Sequence, residues 1–402
     1  MQASAALPEG LGVQTTPAAS PRALFLARAY YFFFFGAIGC YTYYANLYFE
    51  ARGLGGGAIG LLAALPPVML VLGGPLWGAL ADRFHLHRVL LPLVTLAPIA
   101  PIWWVGQTEA LGWLAAWVAL AAFFSTATGP LIDSAVLELV AGTPHTFGSI
   151  RVWGTFGFIL ASPTMGALLR PGQLAPIFIG YAVCMAAAGL AAVGLPARRQ
   201  VLHTSYQAGV RQLLAQPAFV LILAAAFLLG AATNSAFAFY PLHLQHLGAS
   251  TTLIGLAGAL AAVTEIPTLL LVHHLLRRFS AWGSLALGAA LYVVRWAVVA
   301  VIPGPLLATL AQVLHGVSFG PSLVGGVAYV DEHTPPGLSA TGQAVFSATQ
   351  WGLGAAVGAA AGGWVFEHLG AAGFFLAAAA VTAAGLVLIL AARRLTAKRP
   401  SA

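Results

Sequence analysis

Twelve times along this 402-residue chain a stretch of mostly apolar residues recurs, each about as long as an α-helix must be to cross a bilayer, roughly 20 residues. The stretches fall near residues 22–49, 56–81, 88–106, 111–140, 149–169, 174–195, 217–246, 252–276, 281–301, 305–329, 338–366 and 371–391. They are called spans 1 to 12 below. Turn-forming residues separate them, among them Gly53 to Gly57, Gly172, Pro303 to Pro305 and Pro335 to Gly337. Hydrophobic residues make up 60% of the chain and charged ones 7%, against about 45–50% and about 25% in a soluble domain. So few charges cannot coat a water-facing surface of this size. Lipid is the solvent such a chain requires, and the expected fold is all-α, twelve membrane helices in two six-helix bundles.

The cations set the orientation. With the N-terminus in the cytoplasm, Arg22, Arg28, Arg83, Arg88, Arg198, Arg199, Arg211, Arg277, Arg278, Arg393, Arg394, Lys398 and Arg399 lie inside, and only Arg52 and Arg170 outside. The positive-inside rule therefore puts both termini in the cytoplasm and the chain in the plasma (inner) membrane. The net charge of +7 is spread in short clusters between apolar runs, which suits topology and not nucleic-acid binding. The longest polar connection divides the chain into a leader over 1–21, a six-helix half over 22–195, a linker over 196–216, a second half over 217–392 and a basic tail over 393–402. The leader, rich in Ala, Pro, Ser and Gly, is expected to be disordered and lacks the apolar core of a cleaved signal. A faint repeat relates the halves: Ile59-Gly60-Leu61 recurs as Ile254-Gly255-Leu256, and Arg83 as Arg278, both at an offset of 195. Cys40 and Cys184, the two cysteines, fall inside apolar runs and give no disulfide framework.

Ionisable residues inside spans are the informative ones, since each costs about 2.5–3.5 kcal/mol at a helix centre even on lenient scales. Glu265 in span 8, Arg295 in span 9 and His315 in span 10 sit at similar depths and can meet in the second half. A carboxylate, a guanidinium and an imidazole together can take up and release a proton, the chemistry of proton-coupled transport; the bland alternative is a static charge cluster locking helices together. Asp133 in span 4 and Arg151 at the start of span 5 can pair in the first half, where they suit recognition of hydroxyls or of a carboxylate. For Arg151 the competing role is a cytoplasmic interfacial anchor. Glu138 reads as an interfacial charge. Tyr43, Tyr44 and Asn46 are candidates for lining a cavity, while Trp103, Trp104 and Trp113 suit an interfacial belt. The sequence carries no Walker-type phosphate loop, no metal-ligand pattern and no nucleophile–base pair, so no cofactor, metal or enzymatic activity is expected.

The loop between spans 2 and 3 carries Gly78, Asp82, Arg83 and Arg88. This resembles the signature loop of the major facilitator superfamily, in which a glycine allows close helix approach and the charges hold one gate state. The loop after span 8 keeps the basic pair Arg277 and Arg278 but has no acid. Phe147 to Gly154, Glu265-Ile266-Pro267, Val293 to Trp296 and Gln312 to Phe319 resemble spans 5, 8, 9 and 10 of the phenylpropionate permease family. In the related lactose permease group a span 4 acid and a span 5 arginine hold the sugar, and Asp133 and Arg151 fall at those positions. Glu265, Arg295 and His315 match that group's polar residues in spans 8, 9 and 10. Two departures matter. Ser318 stands where that group has a glutamate one turn after the histidine, and Phe158 replaces its sugar-stacking aromatic.

The resemblance implies a secondary transporter working by alternating access. The expectation is proton-coupled symport of a small organic solute, an aromatic carboxylate first, by a monomer. A sugar or nucleoside symporter, a drug exporter and a membrane sensor that has lost transport are the alternatives.

Overall fold

A computed structural model describes residues 20–84, 87–170, 172–195, 206–335 and 337–396. Span 1 is Pro21–Ala51, started by Ser20, whose hydroxyl accepts from the amide of Ala23, and span 2 is Gly56–Phe84. Span 3 is broken into His87–Leu96 and Ile99–Val105, and span 4 into Leu111–Ser125 and Thr128–Val140. Spans 5 and 6 are Phe147–Leu168 and Pro176–Val193. In the linker Tyr206–Leu214 forms a short helix. Spans 7 and 8 are Pro217–His246 and Thr251–Leu270. Val272–Val301 bends at Ser280 (φ 59°), which separates a short loop helix from span 9, residues 281–301. Span 10 is broken into Pro305–Leu310 and Val313–His333. Span 11 runs from Ser339 through a π-helical stretch, Ala348–Gly354, to a reversal at Gly370 (φ 65°), and span 12 continues from there to Thr396. The last helix therefore extends beyond residue 392, where the sequence suggested its end.

Among the described residues nine helical stretches are long and apolar enough to cross a membrane, and Val89–Val105 is a shorter apolar one. The ninth, Ser339–Leu395, holds two spans joined at Gly370. Phe147–Leu168 has the length but is diluted by Arg151 and several Ser, Thr and Gly residues. The twelve-span architecture follows.

An even number of alternating spans puts both termini at one end of the bundle; the other is called distal here. Spans 1 to 6 pack with one another, as do spans 7 to 12, and the halves meet where span 1 faces 7, span 5 faces 8 and span 2 faces 11. The cores differ by end. A single distal core mixes Tyr44, Phe49 and Leu62 of the first half with Phe239, Tyr240 and Phe366 of the second. Toward the terminal end each core stays within one half: clusters around Tyr30, Ile132 and Ile150 and around Trp77, Leu90 and Val94 in the first, and around Phe219, Tyr329 and Phe346 in the second. The halves are sealed distally and packed independently at the terminal end.

Lipid is as apolar as leucine, so close backbone packing and polar contacts hold such helices together. At the seam Gly60 and Gly363 bring spans 2 and 11 so near that an added Cβ on either would strike the other backbone. Polar fasteners reinforce this distal contact. Glu50 accepts from Gln245 (2.9 Å) and pairs with His246 (2.7 Å), and Glu367 accepts from the amide of Gly57 (2.7 Å). Thr251 donates to the carbonyl of Gly166 (2.7 Å).

Candidate functional site

Span 10 supplies the centre of the polar cluster because it breaks beside it. The helix stops at Leu310 and resumes at Val313, and the amide of His315 bonds the carbonyl of Gln312 at 2.9 Å. That three-residue spacing puts Gln312 and His315 on one side of the turn. Gly316 then allows span 10 to lie against the carbonyl of Thr264, where a Cβ would have no room. Glu265 is the next residue of span 8, so this close approach sets the Glu265–His315 distance.

A continuous hydrogen-bonded chain results. His315 Nε2 lies 2.7 Å from Glu265 Oε1, and His315 Nδ1 lies 2.7 Å from a terminal nitrogen of Arg295. The other terminal nitrogen of Arg295 donates to Gln312 Oε1 at 2.6 Å. Gln312 Nε2 donates to the hydroxyl of Tyr43 at 3.1 Å. Bond logic fixes the protons. A guanidinium has only donors, so Nδ1 of His315 must accept, and Nε2 carries the hydrogen that goes to Glu265. His315 is therefore neutral, held between the carboxyl of Glu265 and the guanidinium of Arg295. It cannot take a second proton until Arg295 withdraws. Arg295 is itself 4% exposed, packed on Trp296 with 4.4 Å from guanidinium carbon to ring centroid. Phe319 stacks on the imidazole at 5.3 Å. A cavity of about 20 Å³ beside Tyr240, Tyr292, Arg295 and His315 has room for one water.

The first-half residues are arranged differently from the expectation. Asp133 accepts from the hydroxyl of Tyr31 at 2.5 Å. Arg151 lies over Phe35, 4.0 Å from the ring centroid, and 5.3 Å from that of Tyr31. Among the described residues no ion pair joins Asp133 to Arg151; Tyr31 stands between them. Arg151 turns onto span 1, half-buried, rather than outward as an interfacial anchor would.

The two groups also differ in depth. Tyr31 and Tyr43 mark their levels on span 1 and are twelve residues apart, about 18 Å along the axis at 1.5 Å per residue. The two groups therefore sit at different levels of the bundle in this state.

Tyr43, Tyr44 and Asn46 are packed between the halves in this state. All three are buried in the seam: Tyr43 meets Gln312, Tyr44 donates to the carbonyl of Ser162 (2.7 Å) and Asn46 to that of Ala238 (2.7 Å). Ser318 spends its hydroxyl on the carbonyls of Leu314 (2.7 Å) and His315 (3.0 Å) and does not enter the chain. The side chains of Asp82, Arg83 and Arg88, and the surroundings of Gly78, lie outside the described residues. Sequence reading gave no role to Gln312, Tyr31 or Phe35. Gln312 had a usable signal, a polar residue three positions before an intramembrane histidine.

Twelve spans in two halves that meet at one end, with charged residues buried between them, define a secondary transporter of the major facilitator type. Residues 25–377 match the MFS_1 like family, and the chain belongs to it. The maltose permease of Geobacillus stearothermophilus is 31% identical over 375 residues, covering 92% of this chain and 94% of that protein. The "Probable 3-phenylpropionic acid transporter" of Escherichia coli (strain K12) is 27% identical over 363 residues, covering 88% and 93%. Among solved structures the nucleoside transporter NupG superposes with a TM-score of 0.83 at 18% identity, over 92% of this chain and 99% of that one, a likeness of fold.

Proposed function

We propose that this protein is a proton-coupled symporter for a small organic carboxylate, working as a monomer in the plasma membrane with both termini cytoplasmic. The Glu265–His315–Arg295 chain carries the reading. It holds a neutral imidazole against a carboxylate, so adding one proton must displace Arg295 and removing it restores the chain. That is a reversible proton site in a place where charge has no structural necessity. The carboxylate substrate is supported by Arg151, a guanidinium held on ring faces with no acid paired to it among the described residues. Phe35 and Tyr31 beside it offer faces for an aromatic body. Asp82, Arg83 and Arg88 serve as the cytoplasmic gate, and the halves over 22–195 and 217–392 rock about the solute.

A sugar is the second reading, favoured by the 31% identity with a maltose permease and by Asp133, which accepts one bond from Tyr31 and has lone pairs left for hydroxyls. Uptake into proteoliposomes of 3-phenylpropionate, maltose and a nucleoside, with and without an inward proton gradient, separates the two. Gradient-stimulated 3-phenylpropionate uptake, lost in Glu265→Gln, is the expected result. Stimulated maltose uptake alone selects the sugar reading. Uptake of any solute with no gradient effect overturns proton coupling.

A further inference from the structure

We propose that Tyr43 and Gln312 form the positioning pair that ties proton occupancy of His315 to closure of the distal seam, an inference that rests on the proton-coupled reading above. Among the described residues several polar contacts cross between the halves near the distal end. They involve Glu50, Glu367, Asn46, Tyr44, Ser162 and Thr251, and none reaches the Glu265–His315–Arg295 chain. Tyr43 to Gln312 does.

The orientation of the Gln312 amide makes the link directional. Its oxygen is claimed by Arg295 at 2.6 Å, so its nitrogen faces Tyr43. With the amide turned over, two donors would oppose each other at Arg295. Tyr43 is a fixed acceptor, 2% exposed, its ring held edge-on by Phe158 and Phe237 with centroids at 6.4 and 5.8 Å. On the same face of span 1, three and seven residues on, Asn46 and Glu50 make the other contacts to span 7. Tyr43 is thus the deep end of one row of fasteners.

A proton arriving at Nδ1 of His315 takes the lone pair that accepts from Arg295. The groups facing His315 are Glu265 from span 8, Arg295 and Tyr292 from span 9, Tyr240 from span 7 and, through Gln312, Tyr43 from span 1. Only Glu265 in this set is an acid, so imidazolium stays with Glu265 and the guanidinium is repelled. Gln312 then loses the partner that held its nitrogen toward Tyr43, and the seam loses its deepest polar contact. The converse holds by linkage: closing the seam re-forms the Tyr43–Gln312–Arg295 arrangement and expels the proton. This supplies communication between polar groups at different levels of the bundle.

The test uses the full chain in nanodiscs. Spin labels go on Gln107→Cys and Ala372→Cys, exposed distal positions in opposite halves, with Cys40 and Cys184 replaced by alanine. Electron–electron distances are measured from pH 5 to 8.5, and proton-driven uptake is measured in parallel. In the parent protein acid should lengthen the distance. Tyr43→Phe, which keeps the ring, should flatten that pH response and cut proton-driven accumulation about five-fold, the size of one hydrogen bond, while solute exchange without a gradient persists. Gln312→Met should do the same, and the double variant no more than either alone. A parent response that Tyr43→Phe leaves intact overturns the link and spares the symport reading. So does a pH-independent distance beside gradient-stimulated uptake. A pH-independent distance with no gradient-stimulated uptake overturns both.

Discussion

At the scale of single residues the buried charges differ in how they are satisfied. Arg295 uses its fork twice, donating to His315 and Gln312 in one plane. A lysine ammonium is a single point charge without the planar fork that places one nitrogen at each acceptor. Arg295→Lys should therefore keep the charge and lose the geometry, lowering proton-driven accumulation about tenfold, as expected for a lost charge-assisted bond. Uptake assays across pH would show it as a shifted, shallower profile; an unchanged profile would mean the fork is dispensable. Tyr31 gives a contrasting case. Its hydroxyl serves Asp133 and its ring lies near Arg151. Tyr31→Phe removes the first contact and keeps the ring, so it should raise KM several-fold, about 1 kcal/mol of binding, with kcat little changed. A fall in kcat at constant KM would place Asp133 in the conformational step instead. The sequence marked Asp133, Arg151, Glu265, Arg295 and His315 because ionisable residues stand out against an apolar background. Gln312 and Tyr43 carry no charge, so the sequence offered only the spacing of Gln312 to His315 and the place of Tyr43 among the aromatics of span 1, and neither feature names a partner.

At the scale of elements, breaks and glycines position the site. Span 10 is interrupted immediately before Val313, which turns Gln312 and His315 to one side, and span 11 carries a π-helical stretch at Ala348–Gly354. Irregular backbone inside the bilayer survives where protein surrounds it, and it concentrates at functional places. Gly316 lets span 10 touch span 8 at Thr264. Gly316→Val should force the helices apart, costing about 1–3 kcal/mol of stability by overpacking, and should abolish proton-driven uptake because Glu265 and His315 separate. Thermal unfolding in detergent together with uptake checks this; a variant of normal stability and activity would show that the approach is slack. Pro and Gly positions were visible in the sequence. Which glycines face another helix was not, since that depends on the rotation of each span about its axis.

At the scale of the whole molecule, one shared core at the distal end and cores confined to single halves at the terminal end define the state. Span 2 and span 11 close that end through Gly60 and Gly363. Gly363→Leu should wedge it open, so the labels at 107 and 372 should report a longer distance at every pH, and uptake should slow because closure is blocked. An unaltered distance would mean that spans 1, 5, 7 and 8 suffice for the seal. The sequence by itself determined the solvent, the number of spans, the division into two halves and which residues carry charge inside the membrane. Each of these is a one-dimensional property: hydropathy over about 20 residues and the identity of single side chains. Tertiary structure alone decided the partners. It put Tyr31 between Asp133 and Arg151, joined His315 to both Glu265 and Arg295, set the two groups at different depths and tied one of them to span 1. The physical reason is that a polar group in lipid must be satisfied by whatever the packing brings near, and helix rotation, tilt and breaks choose that neighbour.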